Sequence, residues 1–150
     1  TNDAPSTLTR LIELGVPSYI IKATVLGVMA QRLVRTLCPK CKEPHPIDEE
    51  AWKSITAPWR APIPQSTCRP VGCLECRDTG YKGRAGVYEI MPISNTLKTV
   101  ITDKCDLELL RKQAIKEGMH SLRLSGANKV GAGLTTIEEV LRVTPQSMRQ

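Results

Sequence analysis

Phenylalanine is absent from this 150-residue sequence, and two tryptophans with three tyrosines complete its aromatic content. So few aromatic side chains offer little for bases to stack on, which argues against a specific nucleic-acid partner. No stretch approaches the roughly 20 consecutive apolar residues needed to cross a bilayer; the longest apolar run, Tyr19 to Leu33, is interrupted by Lys22, Gln31 and Arg32. Also missing are a basic segment followed by an apolar one, as in a secretory signal, and an initiator methionine, so the sequence is expected to be a piece of something longer. The net charge of +6 is not concentrated: the excess of Lys and Arg over acids is two in residues 1–37, one in 38–83 and three in 84–150. A mildly basic, solvated surface accounts for it without an anionic polymer.

What is present is a soluble protein's balance of 41% hydrophobic and 24% charged residues, enough for a sizeable core. Asp3-Ala-Pro-Ser6 precedes Leu8, Leu11 and Ile12 at helical spacing and Gly15 follows, which predicts a short capped helix. Pro17-Ser18 restarts the chain into a second helix whose apolar residues, from Ile20 to Leu33, cover most of its circumference, so it is expected to be buried on nearly all sides. Residues 32–37 can turn extended, and Gly86-Val-Tyr-Glu-Ile-Met91 reads as a strand rich in β-formers. Seven prolines between Pro39 and Pro70 leave no room for a continuous helix or central strand there. Residues 38–83 therefore read as an inserted, loop-rich module that needs a staple. After Met91 the helical period returns through Leu97, Val100 and Ile101, then Leu107, Leu110 and Ala114 between Asp106 and Gly118. A last helix opens on Thr135-Thr-Ile-Glu138 as a capping box.

The staple is legible. Cys38-Pro-Lys-Cys41 and Cys73-Leu-Glu-Cys76 are two Cys-x-x-Cys pairs 31 residues apart. Two residues between cysteines let one tight turn aim both sulfurs at one ion, and two such turns complete a closed four-sulfur site that suits structural zinc. Competing readings are a dithiol redox pair, which needs only one such motif in a strand-to-helix context, disulfides, which have no secretory signal to support them, and an iron–sulfur cluster, which four cysteines also fit. Cys68 and Cys105 fall outside the pattern and read as ordinary small residues, with Cys68 a lesser candidate ligand. His45 lies near the cysteines, but four sulfurs already satisfy zinc.

Several segments acquire a joint meaning in this order: Thr1-Asn-Asp-Ala-Pro-Ser6, Ala30-Gln-Arg-Leu-Val-Arg-Thr-Leu-Cys-Pro-Lys-Cys41, Gly80-Tyr-Lys-Gly-Arg-Ala-Gly-Val-Tyr-Glu89, Glu117-Gly-Met119, Ser121-Leu-Arg123, and residues 133–144. Together with the paired cysteines, they resemble the ATPases of bacterial type II secretion systems and type IV pili. The resemblance implies an α+β fragment from the C-terminal portion of a hexameric, cytoplasmic ATPase, peripheral at the inner membrane. Residues 1–37 would be the end of a RecA-like α/β core, 38–83 a zinc-binding insertion, 84–95 a return strand to the core and 96–150 a helical C-terminal subdomain. Cys38, Cys41, Cys73 and Cys76 would hold Zn, while ATP and Mg belong to the full-length parent. No Gly-x-x-x-x-Gly-Lys-Ser/Thr loop occurs here, so the fragment alone is expected to be inactive. Arg32, Arg35 and Arg84 flank the expected strands, and Arg32 and Arg84 are candidates for contacts to nucleotide or a neighbouring subunit. Implied partners are the other subunits of a homohexamer and platform proteins of the inner membrane, with no specific nucleic acid. Ser125 departs from the acidic residue common near this point in that family. The alternative is a free-standing zinc-ribbon module that binds nucleic acid or a protein partner; it accounts for the metal and the charge but not for the helices on either side.

Overall fold

Asp3 closes the first helix end. Its carboxylate accepts from the Ser6 amide at 3.0 Å while the Ser6 hydroxyl accepts from the Asp3 amide at 3.3 Å, a reciprocal cap of the kind that holds a helix N-terminus by about 1 kcal/mol. The helix α1 so started spans Ala4–Glu13, with Gly15 just beyond it at a φ of +101°. The computed structural model describes residues 3–144, so Thr1 and Asn2 of the opening motif lie outside the described residues. Helix α2 (Ser18–Thr24) and strand β1 (Gly27–Leu37) follow, then β2 (Glu43–Pro46), α3 (Glu49–Thr56), β3 (Ser66–Arg69) and β4 (Tyr81–Pro92). Helices α4 (Asn95–Lys98), α5 (Leu107–Lys116), α6 (Leu122–Gly131) and α7 (Ile137–Val143) complete an α+β chain. Strand β1 pairs with β4, and β2 pairs antiparallel with β3.

The described residues form two units, one of 3–30 with 88–121 and one of 31–87 with 122–144, and β1 and β4 contribute a segment to each. In the first unit Leu8 of α1, Ile21 of α2, Met91 of β4, Leu97, Ile101 and Leu110 make a core at 0–1% exposure, each contributing about 1.5–3 kcal/mol of transfer energy by burial. Three carboxylates fix the helix ends around that core. Asp3 pairs with Arg111 at 2.6 Å, buried Glu89 accepts from the Ala4 amide at 2.7 Å, and Asp103 accepts from the Ser18 amide at 2.9 Å. Each places negative charge on the free amides of a helix N-terminus.

In the second unit α3 packs against α6 and α7, bringing Trp52 and Ile55 toward Ala127, Val130 and Val140, all buried. Helix α6 has Gly126 where it meets α7: a Cβ there would stand 2.6 and 2.8 Å from the two methyls of Val140.

Four expectations change. The run to Leu33 does not continue as a buried helix: α2 stops at Thr24, Gly27 opens a strand, and Leu26, Met29 and Leu33 are 88, 61 and 45% exposed. β-Branched Val25 and Val28 beside a glycine favour extended backbone, and burial then alternates with period two along β1. Helix α3 was not anticipated, yet it fits between Pro46 and Pro58 and is capped by Asp48, whose side chain accepts from the Ala51 amide at 3.2 Å. Helix α6 was missed because its apolar residues lie on no single face. Helix α7 starts one residue late: Thr136 accepts from the Glu139 amide at 3.1 Å, while the Thr135 hydroxyl donates to the Arg35 carbonyl at 2.7 Å. The first helix, the strand through Met91, and α5 between Asp106 and Gly118 stand as expected.

Replacing a helical glycine by alanine ordinarily stabilises by about 1 kcal/mol. Gly126→Ala should instead destabilise by about 1–3 kcal/mol, because buried Val140 is stiff at χ1 and has nowhere to move. Urea unfolding followed by tryptophan fluorescence checks the sign, since Trp52 and Trp59 both lie in the second unit.

Candidate metal centre

The four paired cysteines meet. Their Sγ atoms all lie within 4.8 Å of one another, with Cys38 to Cys73 at 3.8 Å, Cys41 to Cys76 at 3.8 Å and Cys73 to Cys76 at 3.7 Å. A tetrahedron with metal–sulfur bonds of about 2.3 Å has sulfur–sulfur edges of about 3.8 Å, so the cluster has the dimensions of a four-thiolate metal cage. All six cysteines are unbridged.

Each turn of the cage is built from backbone hydrogen bonds. In the first, the Cys41 and Lys42 amides donate to the Cys38 carbonyl at 3.4 and 3.1 Å; in the second, the Asp78 amide donates to the Cys73 carbonyl at 2.8 Å. Arg77 and Asp78 follow Cys76 with φ of 56° and 62°, two successive left-handed residues that fold the chain back over the sulfurs. Gly80 completes the turn at a φ of +82°, and a Cβ there would stand 2.3 Å from the Pro70 Cβ, so only glycine fits. Amides then point at sulfur: Gly72 to Cys41 at 3.3 Å, Cys73 to Cys76 at 3.3 Å and Gly80 to Cys76 at 3.2 Å. Burial alone would push the Cys76 thiol up, but the Gly80 and Cys73 amides and the Cys73 and Cys41 sulfurs bring it down to about 6. Cys73 moves the other way: the Cys76 backbone lowers it, and burial with three neighbouring sulfurs outweighs this and pushes it up to about 11. A cluster that already favours thiolate at one corner and is surrounded by N–H donors is chemically suited to a cation.

Other sequence candidates lie elsewhere. Cys68 sits on β3 opposite Pro44, Cys105 donates to the Val100 carbonyl at 3.5 Å, and His45 is exposed on β2 opposite Thr67. None joins the cluster found among the described residues. Arg32 is half-buried on β1 with Nη1 donating to the Gln31 carbonyl at 2.9 Å, and Arg84 is exposed on β4.

Arg35 has a different partner, and sequence reasoning missed it. Glu139, whose side chain is 2% exposed, takes the Arg35 amide at 2.9 Å, its Nη2 at 3.0 Å and Arg142 Nη2 at 2.5 Å. The Arg35 guanidinium also lies 4.2 Å over the Tyr81 ring, and the Tyr81 hydroxyl meets the Thr136 hydroxyl at 3.0 Å. The available signal was local: Glu139 and Arg142 are three apart on one helix.

The comparison with known sequences decides the family. A profile described as Type II/IV secretion system protein matches residues 1–142. The chain belongs to the type II/IV secretion system protein family. It is 49% identical over 97% of its length to the type IV pilus assembly ATPase TfpB of Acinetobacter baylyi, which it covers to 25%. It is 40% identical over 94% of its length to the type IV pilus assembly ATPase PilB of Myxococcus xanthus, covering 25% of that protein. To the type II secretion system ATPase E of Vibrio cholerae it is 39% identical over 98% of its length and covers 29%. The chain thus spans about a quarter of the length of these relatives of the secretion family. No helix among the described residues is long and apolar enough to cross a membrane.

Burial alone would raise the Glu139 carboxyl, yet Arg142 and Arg35 hold it at about 2, well below its ordinary value near 4.5. A depressed folded value stabilises fully above pH 4.5 and is lost as pH falls toward 2. Glu139→Gln should therefore lower stability at pH 7 by about 2 kcal/mol, the scale of lost charge-assisted hydrogen bonds. The gap between the two proteins should close through that acid window. Thermal melts by tryptophan fluorescence at stepped pH measure it.

Proposed function

We propose that this chain is the C-terminal portion of a cytoplasmic ATPase, peripheral at the bacterial inner membrane, that powers type II protein secretion or type IV pilus assembly. The observation that carries this reading is the family match along nearly the whole chain, to relatives named as ATPases of both systems, at only a quarter of their length. The parent would hydrolyse ATP with Mg and work as a homohexamer against platform proteins of the membrane, and residues 1–37 and 84–95 would belong to the end of its RecA-like core. The fragment itself would pack, shape subunit contacts and present Arg32 and Arg84 to nucleotide or to a neighbouring subunit, without catalysing the reaction.

Cys38, Cys41, Cys73 and Cys76 would hold zinc. With four thiolates bound, the ion has no open position for water, so what it supplies is a cross-link, not an activated nucleophile. The residues around it do the remaining work: the Gly72, Cys73 and Gly80 amides orient and stabilise the sulfurs, and the Lys82–Glu75 ion pair at 2.7 Å spans the second turn and β4.

Two measurements test the reading. The reading frame that precedes Thr1 should encode a phosphate-binding Gly-x-x-x-x-Gly-Lys-Ser/Thr loop, and a start codon at that point would refute the assignment. Elemental analysis of the purified chain should find a single zinc per chain, lost in Cys73→Ser and kept in Cys105→Ser. Unchanged zinc in the Cys73 variant would refute the ligand set.

A further inference from the structure

Besides the bond from the Thr135 hydroxyl to the Arg35 carbonyl, four contacts tie the cysteine turns to the segment that starts α7. The Leu37 amide, next to Cys38, donates to the Leu134 carbonyl at 2.7 Å. Lys42, next to Cys41, donates from Nζ to the Gly133 carbonyl at 2.8 Å. Tyr81 follows Gly80, whose amide reaches the Cys76 sulfur at 3.2 Å and whose carbonyl accepts from the Cys38 amide at 2.9 Å; its hydroxyl meets Thr136, the N-cap of α7. Arg35, two residues before Leu37, is stacked on Tyr81 and held by Glu139 in the first turn of α7. Every one of these anchors sits within three residues of a cysteine or on the residue that follows its sulfur-bound glycine.

Helix α7 has seven residues, too few to persist in water without tertiary contacts. For it, undocking is unfolding. The anchors in turn depend on the cage, since the left-handed pair Arg77 and Asp78 costs about 1–3 kcal/mol per residue and persists only while something over-determines it. We propose that filling of the four-cysteine site and docking of α7 are one coupled equilibrium, so that metal occupancy sets whether the last described helix of the chain is held in place. This rests on the reading of the four cysteines as a zinc site. Coupling is reciprocal: docking of α7 must strengthen metal binding by the same factor by which bound metal strengthens docking.

Hydrogen exchange of the zinc-loaded chain, before and after removal of the metal with a chelator, tests this. Amides of α7 such as Val140, bonded to the Thr136 carbonyl at 3.1 Å, should exchange at least about tenfold faster without metal, while amides of α5 in the other unit keep their protection. In the reverse direction, Glu139→Gln should weaken zinc affinity about five- to tenfold in equilibrium competition with a colorimetric chelator. Tyr81→Phe, which removes the hydroxyl contact and keeps the ring under Arg35, should do so by a smaller factor. A chain that binds no zinc at all overturns the metal reading and this inference with it. A chain that binds zinc but whose α7 exchanges identically with and without it overturns the coupling alone. So does native zinc affinity in both variants.

Discussion

Four sulfur atoms, 3.7–3.8 Å apart along three of their edges, are the constraint from which the second unit follows. Nothing hydrophobic draws thiols into a tetrahedron. They converge because two Cys-x-x-Cys turns close on themselves through backbone hydrogen bonds, and because glycine permits backbone amides to approach the sulfurs from outside. Once the turns are closed, Cys38 sits at the end of β1 and Gly80 at the start of β4, with one hydrogen bond of 2.9 Å joining them. The strand ends are then in register, and Arg35, Leu37 and Tyr81 face the turn that begins α7. A segment with seven prolines becomes a body with a hydrophobic side of its own, since α3 supplies Trp52 and Ile55 to the same layer as α6 and α7.

The first unit solves a different problem with different chemistry. Its core is aliphatic, drawn from α1, α2, β4 and the helices after it, and carboxylates fix the starts of α1, α2 and α5, with the Ser94 hydroxyl capping α4. Asp3 is shared between its own cap and Arg111, and Glu89, buried on β4, takes the first amide of α1. A buried acid is expensive unless several donors face it. In both units the buried glutamates, Glu89 and Glu139, are given backbone amides as partners, which is the arrangement that keeps a carboxylate charged without an open water shell.

How legible this was depends on the range of the interaction. The cysteine pairs could be read because the chemistry lies in a spacing of two residues, and α1 and α5 because their caps and stops are local. The stretch from Val25 to Leu33 was misread because an almost continuous apolar run has no period; only its pairing with β4 makes it a strand. Helix α6 was invisible for the same reason, as its residues are buried against α3 on one side and α7 on another. The bond from Arg35 to Glu139 joins residues 104 apart, and no local pattern announces such a pair. Sequence also marked residues 38–83 off as a separate insertion; in the structure that region shares its unit with α6 and α7.

That sharing bears on what a motor would gain from the arrangement. Under the proposed reading the chemistry of ATP hydrolysis lies in the part of the parent beyond these residues, and this portion has to hold shape while the rest cycles. A segment of prolines and short strands cannot do that through burial alone, because its apolar residues are too few to offset the ordering entropy of so many loop residues. Borrowing the faces of α6 and α7 supplies the missing burial, and the cysteine cage supplies the cross-link. Each makes the other worthwhile: without α7, Glu139 would not be there to hold Arg35 against Tyr81, and without the cage the anchors next to Cys38, Cys41 and Gly80 would have no fixed positions from which to reach α7. Stability that depends on two such distant segments meeting is cooperative by construction, since neither half retains its contacts once the other is lost.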